Sequence, residues 1–172
     1  EHSVSLAPGD CVYVDLNGDG VINGDDVTAI GYTDVPEYVA GLNAGFSWKG
    51  FDFSMQFTGA WNASRMLSET LREPMGDTNS KGLLLSQFEN RWTPDNPNAS
   101  LPSATLAHKS NNYMGSTLFL KDASYLRLKN IEIGYNFESG FLKKMKISTC
   151  RVYVNGYNLL TFDKLKITDP ES

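Results

Sequence analysis

Two strictly alternating runs, separated by only two residues, constrain this chain's fold more than anything else in it. In residues 38–48, Tyr38, Ala40, Leu42, Ala44, Phe46 and Trp48 share one parity, and Val39, Gly41, Asn43, Gly45 and Ser47 share the other. Residues 51–61 repeat the pattern, with Phe51, Phe53, Met55, Phe57, Gly59 and Trp61 set against Asp52, Ser54, Gln56, Thr58 and Ala60. A strand turns successive side chains to opposite faces, so each run reads as a strand with one apolar side. Lys49-Gly50 joins them as a tight hairpin, with Gly50 at a positive-φ position.

Two media would accept such an apolar face: the core of a soluble β-sandwich or a lipid bilayer. Three details favour the bilayer. The opposite face is small and polar, as in a barrel with a wet lumen. Aromatic residues sit at both ends of the apolar face, Tyr38 and Trp61 at one and Trp48 and Phe51 at the other, like the two girdles of an outer-membrane barrel. Length also fits. Ten steps of about 3.4 Å, tilted by roughly 40°, project to about 26 Å, against an apolar band about 25 Å tall. The expected fold class is therefore all-β: antiparallel transmembrane β-barrel strands, about four of them, forming a partial barrel with long extracellular loops.

Upstream, Asp15 to Asp26 has the spacing of an EF-hand-like calcium loop. Calcium takes six to eight oxygens. Asp15, Asn17 and Asp19 would offer side-chain oxygens and Val21 its carbonyl. Asn23 would act directly or through water, and Asp26 would close the shell. Gly20 permits the sharp bend, and Ile22 pins the loop to the fold. The alternative is a Gly/Asp/Asn-rich turn without metal.

Residues 62–118 lose the alternation and read as one long excursion, with short helices near 64–72 and 80–91. Beyond it lie a third strand over 118–137 and a fourth over 147–162, joined by a short basic link at 138–146. Leu126 and Leu128 have the opposite parity to Ile131, Ile133, Tyr135 and Phe137, which predicts a bulge near Lys129-Asn130. For the fourth strand, parity leaves open which face meets lipid. Lys164 to Ser172 reads as a polar tail.

The chain has 172 residues and a net charge of -5 without a basic block, which argues against nucleic-acid binding. No apolar run is long enough for a membrane helix. Cys11 and Cys150 read as two separate thiols, with a disulfide left open by spacing alone. His2 and His108 default to the surface. Glu69 and Glu73 are spaced for one helix face, yet solvation accounts for them better than acid–base chemistry. With no activated Ser/Cys–His arrangement and no phosphate-binding loop, the chain reads as a non-enzyme. Trp92 and Tyr113 could stack on sugar rings, though packing within the excursion is the stronger reading. Arg127 and Arg151 read as paired on the lumen side.

The ordered motifs resemble the C-terminal part of SusC/RagA-type TonB-dependent outer-membrane transporters of Bacteroidetes. They are Pro8-Gly9-Asp10 with the Asp15–Asp26 loop and Ile30-Gly31, Gly50-Phe51-Asp52-Phe53-Ser54, and the run from Asn90 through Pro97. Tyr125-Leu126-Arg127-Leu128-Lys129-Asn130 with Ile133-Gly134-Tyr135, and Arg151 through Phe162, are the most specific. The family commonly has Gln where Tyr157 stands. The resemblance implies a wall segment of a plugged 22-stranded barrel in the cell outer membrane, covering residues 1–172. It implies import of oligosaccharides or peptides, a SusD-like surface lipoprotein over the mouth, and TonB as energy source through a region not in this chain. It places loop 62–118 and the Asp15–Asp26 loop outside the cell, with Ca2+ as the expected ligand of the latter. Glu1-His2-Ser3 opens without a signal peptide, so the chain is expected to be a piece of a longer protein. The soluble rival is a secreted calcium-binding β-sandwich that binds carbohydrate.

Overall fold

A computed structural model describes residues 5–75, 82–104, 110–137, 142, 144–165 and 168–169. His2 and His108, most of the 138–146 link and the last residues of the tail lie outside the described residues. The chain divides into two compact units, one of Glu1–Ile30 with Met66–Leu120 and the other of Gly31–Arg65 with Lys121–Ser172.

The second unit is built on one antiparallel sheet. Strands β1 (Tyr38–Trp48), β2 (Phe51–Trp61), β5 (Tyr125–Phe137) and β6 (Cys150–Asp163) lie in the order β1-β2-β5-β6. β1 and β2 have the expected bounds. Lys49 and Gly50 both have positive φ, 47° and 88°. That is the primed turn whose twist matches its flanking strands.

The expected bulge is present. Leu128 pairs with Phe57 and Asn130 with Gln56, leaving Lys129 over. β6 answers with its own irregularity, since Leu128 faces Leu160 while Asn130 faces Tyr157. The extra residue restores parity. Leu126 and Leu128 therefore join Ile131, Ile133, Tyr135 and Phe137 on the face that carries Leu42, Phe46, Phe53 and Phe57. Register also settles β6: Cys150, Val152, Val154, Leu160 and Phe162 lie on this apolar face. Phe46 stacks on Phe53 at 5.4 Å and Phe51 on Tyr135 at 4.6 Å, as cross-strand partners should. The face is open to its surroundings, with Leu42 at 60% and Val154 at 75% exposure. No second sheet covers it among the described residues, which departs from the β-sandwich alternative.

Other expectations needed correction. The strand expected over 118–137 is two elements, β4 (Leu120–Asp122), which pairs with β3 (Ser64–Met66), and then β5. Asp122 causes the break: its carboxylate accepts the Ser124 N–H at 2.9 Å and turns the chain out of the strand direction. Residues 64–66 are thus strand rather than helix. The helices are shorter than expected, α1 (Glu69–Arg72) and α2 (Leu85–Asn90). Glu73 follows α1 in extended conformation, so it does not share a helix face with Glu69. β6 begins at Cys150 rather than 147. The described tail is more than polar filler. Leu165 is buried, and Asp169 pairs with Arg127 at 2.7 Å.

The first unit holds a small core of Leu67, Tyr113 and Phe119, flanked by Leu71, Leu101 and Leu118. Tyr113 is a packing residue, and its hydroxyl reaches the Ser103 carbonyl at 3.3 Å. Trp92 lies against Gly9, where any side chain would run into the indole ring.

Candidate functional site

The Asp15–Asp26 loop is organised by its own carboxylates. Asp15 accepts the N–H groups of Gly18 and Gly20 at 2.6 and 2.8 Å. Asn17 accepts the Asp19 N–H at 2.9 Å, Asp19 the Val21 N–H at 2.7 Å, and Asn23 the Asp25 N–H at 2.7 Å. Asp26 closes the loop on itself by accepting from Asn23, Leu16 and Asn17. These donors hold its carboxyl below the usual carboxylate range, Asn23 most strongly and Leu16 next, so it stays ionised. Gly18 and Gly20 both take positive φ, 76° and 86°, which such a turn needs. Each carboxylate oxygen keeps lone pairs beyond those the backbone uses. The three acids do not converge, however, and no group of three His, Cys, Asp or Glu among the described residues is gathered to hold a metal.

The segment just before the loop, Asp10 to Tyr13, is tied to residues 110–113 of the same unit by a polar clamp. Asn112 is fully buried. Its amide nitrogen donates to Asp10 at 2.9 Å, and its amide oxygen accepts the Cys11 N–H at 2.8 Å. Asn111 donates to the Cys11 carbonyl at 2.9 Å, and the Tyr13 hydroxyl donates to the Asn111 carbonyl at 2.7 Å. Burial, with Asp10 adding to it, pushes the Cys11 thiol up and makes it a poor nucleophile. Both cysteines are free. Nothing in the sequence pattern marked Asn111 and Asn112, because an amide pair in a polar loop has no periodicity to read.

The sheet's other face carries the charge. Arg151 reaches across Gly134 to bridge Asp52 and Glu132, with Asn136 donating to Asp52 at 3.0 Å. A side chain at Gly134 would press on the tips of the Asp52–Arg151 pair and force that ion pair to shift. A glycine inside an alternating strand is the signal that would have flagged this close approach. Arg127 is nearly buried and donates to Thr161 at 3.1 Å as well as pairing with Asp169. Both arginines are paired on the polar face, as expected. The sheet thus separates a charged and amide-lined face from a continuous apolar one.

No protein-family model matches the chain. The TonB-dependent receptor P3 of Formosa agariphila is 35% identical over 166 residues, covering 96% of this chain and 16% of the relative. The TonB-dependent receptor SusC of Bacteroides thetaiotaomicron is 27% identical over 161 residues, covering 93% and 15%. The RagAB peptide transporter superposes with a TM-score of 0.68 at 27% identity, over 87% of this chain and 16% of that one. Over nearly its whole length the chain is similar to one segment of TonB-dependent receptors, SusC and RagA among them. It spans about one sixth of the length of the relatives it matches. As a receptor segment, its open apolar face has an explanation, as do outer strands β1 and β6, which have no further strand beside them among the described residues. The four strands match an arc of a larger barrel wall.

Proposed function

We infer that this chain is part of the barrel wall of an outer-membrane importer. The importer is driven by TonB and takes up oligosaccharides or peptides together with a SusD-like surface lipoprotein. One observation carries the reading: a single sheet, apolar and open on one face, ion-paired on the other, in a chain 35% identical to a TonB-dependent receptor. Each large apolar side chain left in water forgoes roughly 1.5–3 kcal/mol of burial, and lipid supplies that burial along the whole face. On this reading the Lys49-Gly50 turn is periplasmic and residues 62–118 lie outside the cell. The segment forms wall and loop, with no enzymatic role. In the parent organism, the full-length product should fractionate with the outer membrane. Deleting its gene should abolish TonB-dependent uptake of one peptide or oligosaccharide class. A soluble full-length product would overturn the reading.

Calcium is the second part of this reading. Asp15, Asn17, Asp19, the Val21 carbonyl, Asn23 and Asp26 would hold the ion once it draws the acids together. Its role would be to brace an extracellular loop, where a site of about 10⁻⁴–10⁻³ M affinity would fill. Asp19→Ala in the full-length receptor is expected to weaken calcium binding about tenfold or more, about 1.4 kcal/mol. It should also make the loop easier to cleave. Calcium titration by calorimetry and limited proteolysis check this, and equal behaviour of variant and wild type would contradict it.

A further inference from the structure

The end of the sheet that carries the Lys49-Gly50 turn is basic. Lys49 is exposed, and so are Lys144 and Lys146 in the link between β5 and β6. The hairpin turn lies beside the end of β5, since the Asn136 N–H donates to the Gly50 carbonyl at 2.7 Å. The link turns tightly there, with the Met145 and Ile147 N–H groups both donating to the Leu142 carbonyl, at 3.1 and 3.0 Å. None of the three lysines has a carboxylate partner among the described residues. Asp52 and Glu132, in the same half of the sheet, are held by Arg151 on the polar face. The opposite end differs: Lys164 is paired with Asp122 at 3.0 Å and Arg127 with Asp169 at 2.7 Å.

Two details aim this charge at lipid and away from the lumen. Trp48 is on the apolar face by register, and the Lys49 ammonium lies over its ring at 4.9 Å, which draws Lys49 to the same side. In the link, lysines alternate with apolar side chains open to their surroundings, Met145 at 55% and Ile147 at 37% exposure. Such a run suits a membrane interface. Apolar groups enter the acyl boundary, while lysine stems lie along it and place their ammonium groups among the headgroups. Lysine is also an uncommon choice for the backbone here. Lys49 and Lys146 have φ of 47° and 58°, a left-handed conformation that favours Gly, Asn or Asp.

We propose that Lys49, Lys144 and Lys146, with Trp48, form a docking rim for anionic phospholipid headgroups in the periplasmic leaflet of the outer membrane. The apolar face supplies the acyl-chain contact, and the rim continues it into the phosphate layer. A lysine beside an anionic surface strengthens association about fivefold. This rests on the barrel-wall reading and adds which lipid that wall selects.

Lipid quenching in the full-length receptor tests it. Val152→Cys, on the apolar face in register with Tyr135, would carry an environment-sensitive fluorophore in an otherwise cysteine-free receptor. Assembly would be checked by heat-dependent gel mobility. Phosphatidylcholine bilayers would be doped, at equal mole fraction, with brominated phosphatidylglycerol or brominated phosphatidylcholine. The expected result is severalfold stronger quenching by the phosphatidylglycerol. Lys49→Gln, Lys144→Gln and Lys146→Gln together should bring the two lipids level, while Lys49→Arg, Lys144→Arg and Lys146→Arg together should keep the preference. A label at Tyr38→Cys, at the other end of the sheet, should show none. Equal quenching by the two lipids at Val152→Cys would overturn the proposal, as would a preference that survives the glutamine variant or is lost in the arginine variant. A preference abolished by soluble glycerol phosphate at the lipid's concentration would assign the lysines to a soluble phosphate, also overturning it. Strong and equal quenching leaves the barrel-wall reading standing, whereas no quenching by either lipid would remove that reading itself, so the two failures are distinct.

Discussion

Asn112→Ala is expected to loosen residues 5–14 and 110–118 without disturbing the sheet. The substitution leaves the Cys11 N–H without its acceptor, at roughly 1–3 kcal/mol, and removes the donor that meets Asp10, a charge-assisted bond of about 1.5–3 kcal/mol. The buried amide links the segment after Pro8 to the turn at Ser110–Tyr113, so its loss should free both ends of the clamp. Limited proteolysis of the full-length receptor should show new early cleavage within residues 5–14 and 110–118, with unchanged heat-dependent mobility of the barrel. Identical cleavage patterns in variant and wild type would contradict the clamp.

Leu42→Arg has an expected effect of similar size and separates the two media directly. Leu42 is 60% exposed, so in a water-soluble protein arginine there would be nearly neutral. On the lipid face near the middle of a spanning strand it should cost about 2–4 kcal/mol. The full-length variant should assemble poorly into the outer membrane, measured as the fraction of folded, heat-modifiable receptor. Ser47→Arg, on the other face of the same strand, should assemble much closer to wild type. Equal assembly of the two variants would place Leu42 away from lipid.

What was legible in the sequence follows from what has a period. Alternation with period two gave β1 and β2 with their bounds, because lipid on one side and polar groups on the other impose it at every position. The parity clash between Leu128 and Ile131 gave the bulge for the same reason. The break at Ala123-Ser124 was not legible, because a single Asp122 side chain makes it and the flanking residues still look strand-like. The clamp on Asn112 and the return of Asp169 to Arg127 depend on residues about a hundred and about forty positions away, which no local pattern encodes. The Asp15–Asp26 loop is legible as spacing, and its carboxylates shape the turn as that spacing suggests. Spacing alone does not bring its three acids together.

Depth-resolved accessibility along β2 and β5 of the full-length receptor tests the central claim most directly. Single cysteines carrying an environment-sensitive fluorophore would be placed from Phe53 to Thr58 and from Leu126 to Ile133, in bilayers containing brominated lipid. Along β2, quenching by lipid should alternate, strong at positions 53, 55 and 57 and weak at 54, 56 and 58. Along β5 it should be strong at 126 and 128, then change phase across Lys129 and be strong at 131 and 133. Uniform quenching, or an alternation that runs through Lys129 without a change of phase, would contradict the account.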